Sequence, residues 1–265
     1  MGNLRAVMSA ALLSFAACSG DGAAKPDAPL IHLDAAIDAI PDSPPPPDAP
    51  SYDFTCLNNT APTTASATIT VSGTANEISG MAAAPAADVS LEARSVSADA
   101  LLASAGPTLA NGAFSLGPIP GVTPVDAYVK ATKTGTRPTL VYPPQPLVAN
   151  QGMVPVLMIT DAQLGLLLQV LGGGSQDATK GLVGVAVLDC AGAQVMGATV
   201  AVKQNNVAVG NVVDIGAFSP GTFFVTNVPV GAALVTATFN GMTFRSHTVK
   251  SIAGTDTTTG VRPGF

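Results

Sequence analysis

The sequence predicts an all-β protein: two antiparallel β-sandwich modules joined by one short helix, behind a disordered N-terminal tether. Three observations predict it. The 265 residues include 27 Gly and 22 Pro, 47% hydrophobic residues and only 11% charged ones, a profile of short strands broken by turns rather than of long helices. Alternating apolar and polar residues recur in short segments from Phe54 onward. That region also contains an internal repeat, with one helical pattern between its two halves.

The net charge of -6 excludes a basic surface for nucleic acid or for an anionic membrane face. The charge is unevenly placed. Residues 19–53 carry seven Asp against Lys25, whereas residues 54–265 are almost balanced. The acidity therefore belongs to a tail and not to the folded part. With no Trp, 3 Tyr and 2 His, few side chains are left for acid–base work, metal ligation or aromatic platforms.

Residues 1–17 have the layout of a secretory signal: Arg5, an apolar run from Ala6 to Ala17, then small residues before Cys18. The run is too short to span a membrane. Phe15-Ala16-Ala17-Cys18 resembles the bacterial lipobox, with Phe15 where Leu is usual. The resemblance implies cleavage before Cys18, lipidation of that thiol, and a membrane partner reached through the lipid anchor. Ser19 lacks the Asp that retains such proteins at the inner membrane, which implies an outer-membrane lipoprotein; the alternative is a secreted or periplasmic protein cut near Ala17.

Residues 18–53 form the tether. Asp27-Ala28-Pro29, Asp34-Ala35-Ala36, Pro41-Asp42-Ser43, Pro44 to Pro47 and Asp48-Ala49-Pro50 space like charges with Ala and Pro, so the segment cannot bury a core and favours extended chain. No Asp-x-Asp-x-Asp-Gly loop is present for calcium. His32 lies in this stretch, which argues against a catalytic role.

Residues 54–159 make the first module and 181–265 the second. Strand patterns include Thr68–Val71, Asp88–Leu91, Ala113–Leu116, Ala127–Lys130, Val183–Leu188, Ala198–Lys203, Thr222–Thr226, Leu234–Phe239 and Thr243–Val249, separated by Gly, Pro and Asn. Between the modules, residues 160–180 read as a connecting helix and Gly-rich linker. Thr160-Asp161-Ala162-Gln163 is a capping box, Leu164, Leu167, Leu168 and Leu171 have helical spacing, and Gly172-Gly173-Gly174 is a stop. Because Leu166 and Val170 are apolar too, the helix is expected to wedge against or between the modules.

The repeat aligns Gly112-Ala113-Phe114-Ser115-Leu116 through Pro120-Gly121 with Gly221-Thr222-Phe223-Phe224-Val225 through Val230-Gly231. Upstream, Ala86–Leu91 parallels Met196–Ala201; downstream, Tyr128–Ala131 parallels Val235–Thr238. Phe114 and Phe223 are expected to plug the two cores. On these residues both halves resemble carboxypeptidase regulatory-like domains, the transthyretin-like or Ig-like β-sandwich of bacterial surface proteins, and the whole layout resembles myxobacterial lipoproteins. Pro143-Pro144-Gln145-Pro146 departs from the pattern where an edge strand is expected. The resemblance implies scaffold or recognition modules with no shared catalytic residues and no cofactor.

Cys18 taking lipid leaves Cys56 and Cys190, which an oxidising compartment pairs as a disulfide fastening the two modules. Two Cys and a distant His247 are too few ligands for zinc. His247 stands beside Ser246 on an alternating strand, so the two side chains point to opposite faces and cannot form a nucleophile–base pair. The reading is a non-enzymatic, lipid-anchored envelope protein with structural, adhesive, or glycan- or protein-binding roles and no nucleic-acid partner. Two alternatives stay open. A hydrolase or metal-dependent enzyme would need a site at the domain junction, for instance one joining His247 to Asp214 or Asp256. An accessory subunit of a surface or secretion complex would need exposed unpaired strands in the first module.

Overall fold

The computed structural model describes residues 51–80 and 82–265. The signal segment, Cys18, His32 and the tether up to residue 50 lie outside the described residues.

Within the described part, the strands in chain order are β1 (Thr68–Ser79), β2 (Ala82–Pro85), β3 (Ser90–Ser95), β4 (Leu101–Ala105), β5 (Ala113–Pro120), β6 (Ala127–Thr132), β7 (Thr139–Tyr142) and β8 (Gln151–Met158). Helix α1 (Asp161–Val170) follows, then β9 (Gly181–Val187), β10 (Thr199–Gln204), β11 (Val207–Ala208), β12 (Asn211–Asp214), β13 (Thr222–Val228), β14 (Gly231–Phe239), β15 (Met242–Thr243), β16 (His247–Ser251) and β17 (Asp256–Val261). The described residues form two β-sandwiches and one helix, an all-β architecture as the sequence predicts.

The internal repeat is visible as one topology used twice. In the first module β1 pairs antiparallel with β5 and parallel with β8, while β3 pairs with β4 and β6, and β6 with β7. In the second, β9 pairs antiparallel with β13 and parallel with β17, while β10 pairs with β11 and β14, and β14 with β16. Phe114 and Phe223 are buried in separate cores, where they were expected. Gly112 and Gly221, the residues that open the two repeats, both have positive φ, and a Cβ on either would press into a carbonyl of a neighbouring segment, Ala75 O or Val195 O. Both turns therefore need glycine.

The modules are not beads on a string. β7 pairs in parallel with β17 from Thr139↔Asp256 to Tyr142↔Thr259, which merges one sheet of each sandwich into an eight-stranded sheet ordered β12-β13-β9-β17-β7-β6-β3-β4. The parallel β1–β8, β9–β17 and β7–β17 ladders depart from an otherwise antiparallel pattern. Alternation along β6 and β7 then serves two cores at once: Val129 and Val141 face the first, Tyr128, Leu140 and Tyr142 the second. The β5-β1-β8 sheet covers one face of the merged sheet at the first module, and the β10-β14-β16 sheet covers the opposite face at the second.

Thr160 caps α1 by accepting from Gln163 N at 3.1 Å. Leu164 and Leu168 pack with Ile159 and Leu182, flanked by Ile78 of the first module and Phe224 of the second, so the helix is wedged between modules on one face. Leu166 and Val170 are exposed, because the sheets lie to one side of the helix.

The segment before the first module packs on the second. Tyr52 and Phe54 join Phe239 and Phe244 in a tilted and edge-on aromatic cluster, ring centroids 5.4–6.1 Å apart. Asp53 N donates to Asp189 Oδ2 and Cys190 N to Asp53 O, and Cys56 is disulfide-bonded to Cys190 across a separation of 134 residues. Cross-linking so long a loop stabilises by about 5 kcal/mol in the loop-entropy account. Reduction, or the double variant Cys56→Ser/Cys190→Ser, is therefore expected to lower the unfolding free energy of the folded part, read from denaturant titration, by that amount. A loss below ~1 kcal/mol, the scale of a surface substitution, would show that the shared sheet alone holds the modules together.

Candidate functional site

The β7–β17 joint has two faces, and their chemistry differs. On the second-module side lies a polar and aromatic seam. Tyr128 and Tyr142 stack with centroids 4.9 Å apart, and the His247 ring meets Tyr142 edge-on at 5.9 Å. Tyr128 OH donates to Asp99, Lys250 Nζ lies 3.6 Å from Asp99 Oδ1, and Lys250 N donates to Tyr142 OH. Burial pushes the Tyr128 phenol well above the ordinary range and Tyr142 to about 12. His247 Nδ1 sits 2.9 Å from Thr259 Oγ1, and burial, aided by the Arg245 charge, brings its pKa down to about 4. These groups clasp one module to the other.

A second clasp sits at the start of the joint. Arg137, 4% exposed, places Nε 2.6 Å from Asp256 Oδ1 and Nη1 2.7 Å from Asp161 Oδ1, tying strand, sheet and helix start together. Asp256 Oδ2 is buried without a partner. Burial accordingly outweighs the Arg137 charge and raises the Asp256 carboxyl to about 6.

The residues whose union would favour an enzyme are kept apart. Asp256 and Thr259 have opposite parity on β17, so the carboxylate and the His247 partner lie on opposite faces of the sheet. Asp214 is on the exposed edge strand β12, accepting from Gly216 N at 2.7 Å. Ser246 is exposed and directed away from His247. Among the described residues no three His, Cys, Asp or Glu are placed to hold a metal ion.

On the other face of the joint the β5-β1-β8 sheet stops short of the second module. This leaves a groove that continues under β8 past Val71, Ile119 and Leu147 of the first core, about 1260 Å³ in all. Its floor is the outer surface of β9, β13 and β17, with Gly184, Ala186, Thr258 and Phe224; β8 forms one wall through Met153 and Leu157, and Phe218 stands opposite. Met153 is 94% exposed, Phe218 49% and Leu157 39%. None of its 37 lining residues is Asp, Glu, Lys, Arg or His. A shallower hollow of about 450 Å³ near the last strand is lined by Asn58, Asn59 and Arg245, whose guanidinium lies 4.1 Å over the Phe265 ring.

Sequence reasoning missed the groove, but a signal for it was present. Gly181-Leu182-Val183-Gly184-Val185-Ala186-Val187 has no polar residue on either face, the pattern of a strand with neither face turned to bulk water. Cys56 and Cys190 are brought together as predicted. No helix among the described residues is long and apolar enough to cross a membrane.

No protein-family model and no curated protein matches the chain. Among solved structures, it is similar to the shaft pilin SpaA from Lactobacillus rhamnosus GG, at 13% identity and a TM-score of 0.24 over 75% of this chain and 98% of that one. It is also similar to a minor pilin of Streptococcus agalactiae, at 10% identity and a TM-score of 0.22 over 74% of this chain and 96% of that one.

The two perturbed groups at the joint predict opposing pH responses. The unfolded chain binds more protons at His247 between pH 4 and 6.5, so the stability due to neutral, buried His247 is full above 6.5 and lost as pH falls to 4. At Asp256 the folded state binds more protons between 3.8 and about 6, so stability declines as pH rises through that window. Each effect is on the order of 3 kcal/mol at 1.4 kcal/mol per unit. Relative to wild type, His247→Gln is expected to lose stability as pH rises from 4 to 6.5, and Asp256→Asn to gain it from 4 to 6. Urea midpoints taken across pH 4–7 check both signs.

Proposed function

We propose that this chain is a non-enzymatic, lipid-anchored protein of the cell envelope. It is processed before Cys18, held in the outer membrane by acyl chains on that thiol, and carried outward by the Asp/Ala/Pro tether. Its two sandwiches are carboxypeptidase regulatory-like modules with a structural, adhesive or partner-binding role.

One observation carries the non-enzymatic part. Asp99, Arg137, His247, Lys250 and Asp256 at the module joint are engaged in clasps between the modules, while none of the residues lining the groove beside them is Asp, Glu, Lys, Arg or His. General acid–base or nucleophilic chemistry needs a titratable side chain within hydrogen-bond reach of the reacting atom. The Cys56–Cys190 bridge supports an oxidising compartment. The repeated strand order supports two copies of one module type.

The accessory-subunit reading rests on an open strand in the first module. β8 is such an edge, but Pro155 and the register shift around Gly152 and Met153 blunt it, which favours a binding face over a lent β edge.

Intact mass of the protein from its native membrane fraction, with and without reductant, tests the proposal. The expected mass begins at Cys18, carries diacylglycerol, and rises by about two daltons when the disulfide is reduced to two thiols. An unlipidated chain, or one retaining residues before Cys18, would overturn the anchor and with it the envelope-display role.

A further inference from the structure

The groove's chemistry narrows its occupant. Apart from Gln151, its polar side chains are engaged with one another or with groups of the surrounding sheets. Gln194 Nε2 donates to Ser219 Oγ and Thr222 Oγ1, those two hydroxyls lie 2.9 Å apart, and Thr258 Oγ1 donates to Leu140 O. The wall strand offers little more. Pro155 has no N–H, Leu157 O already accepts from Thr139 Oγ1, and the ladder of β8 is interrupted at Gly152 and Met153. A peptide laid there would bury its amides without partners, which is strongly unfavourable. A charged glycan would meet no counter-charge. An occupant that needs neither hydrogen bonds nor charge leaves no polar group of its own unpaired on entry and removes its apolar surface, together with that of Met153, Leu157 and Phe218, from water.

Small residues make up part of the floor. Gly184, Ala186 and Gly260 keep it low along β9 and β17, while Phe224 and Leu188 rise at its sides. Along β9 it runs over Gly184 and Ala186 and on to Leu188, four steps of ~3.3 Å that give about 13 Å, room for a stretch of extended hydrocarbon chain. We infer that this groove binds a hydrocarbon chain of the lipid acyl class, lying along β9 between the β8 wall and Phe218. The inference rests on the reading of the chain as a non-enzymatic binding protein and gives that reading a ligand class.

The test uses the full chain carrying Cys18→Ser, which excludes covalent acylation, and an 18-carbon polyene fatty acid whose fluorescence rises in apolar surroundings. Saturable binding is expected, with displacement by both palmitic acid and hexadecanol, since the tail and not the head is recognised. Ala186→Phe, which fills the floor, and Met153→Asp, which puts a charge on the wall, are each expected to weaken binding at least tenfold. Met153 has φ +56°, a conformation Asp tolerates well, so that variant keeps the test open should Ala186→Phe fail to fold. Leu109→Asp, at an exposed position outside the groove, should bind as wild type does.

Absence of saturable binding, or wild-type affinity in both groove variants, would overturn the inference. So would self-association that Met153→Asp abolishes while the probe does not bind, which would make a second copy the occupant, or displacement of the probe by an uncharged extended peptide but not by hexadecanol. Each of these results leaves the mass of the membrane-derived protein unchanged, so failure of the ligand and failure of the envelope reading are read separately.

Discussion

The structure depends on one short parallel pairing, Thr139–Tyr142 of β7 against Asp256–Thr259 of β17. Each sandwich would otherwise end there in an exposed strand, with unpaired backbone groups open to other chains. Joining the two edges satisfies those groups and makes β7 a central strand with both faces covered. The sequence accommodates it in a particular way. β17 is rich in Thr, β-branched and suited to a pleated sheet, and its buried hydroxyls find partners: Thr257 donates to Lys250 O at 2.7 Å and Thr258 to Leu140 O, while Thr259 meets His247. Buried polarity at the joint is thus largely hydrogen-bonded, which is the condition for tolerating it.

Merging the sheets also determines where charge can sit. The second-module face of the joint is closed over by β16, which brings His247 and Lys250 onto Tyr142 and Tyr128; the start of the joint receives Arg137 between Asp256 and Asp161. Removing one partner from such a buried pair leaves an uncompensated charge, so these clasps restrict relative movement of the modules more than they add stability. The disulfide and the Tyr52–Phe54 strap act on the second module from the opposite end of the chain. A segment that precedes the first module in sequence therefore belongs to the second in packing, and the chain crosses the joint twice, after the strap and at α1, before β17 pairs across it.

Much of the architecture was legible in the residues. Gly-x-Phe at Gly112–Phe114 and Gly221–Phe223 marked equivalent strands, Thr160 and Gln163 marked the helix start, and two cysteines left after Cys18 marked the bridge. These are local signals, each set by a few neighbouring residues. The β7–β17 register was not legible, because Thr139-Leu140-Val141-Tyr142 and Thr257-Thr258-Thr259 look alike to any partner, and only the assembled sandwiches bring them side by side. The clasps were hidden for the same reason: Arg137 and Asp256 are 119 residues apart, and nothing near either one names the other. His247 was placed correctly as a strand residue, but its partner Thr259 belongs to the joint.

The groove follows from this geometry by necessity. Two sandwiches joined through sheets that take their covering layers on opposite faces must leave a step, and the outer face of β9, β13 and β17 is the step's tread. A tread exposed to water would be expected to alternate, with polar side chains outward, as antiparallel sheets do. Here the outward positions of β9 are Leu182, Gly184 and Ala186, the first covered by α1 and the others lining the groove, and β17 presents Thr258 and Gly260 beside them. At Gly184 a side chain would press on Thr258 Cγ2 and the Phe224 ring, so packing already asks for a small residue there; Ala186, only half-buried, is the outward position where a polar side chain would have room. Small apolar residues along the floor, with larger ones on both walls, are what a surface requires when something apolar is to lie against it.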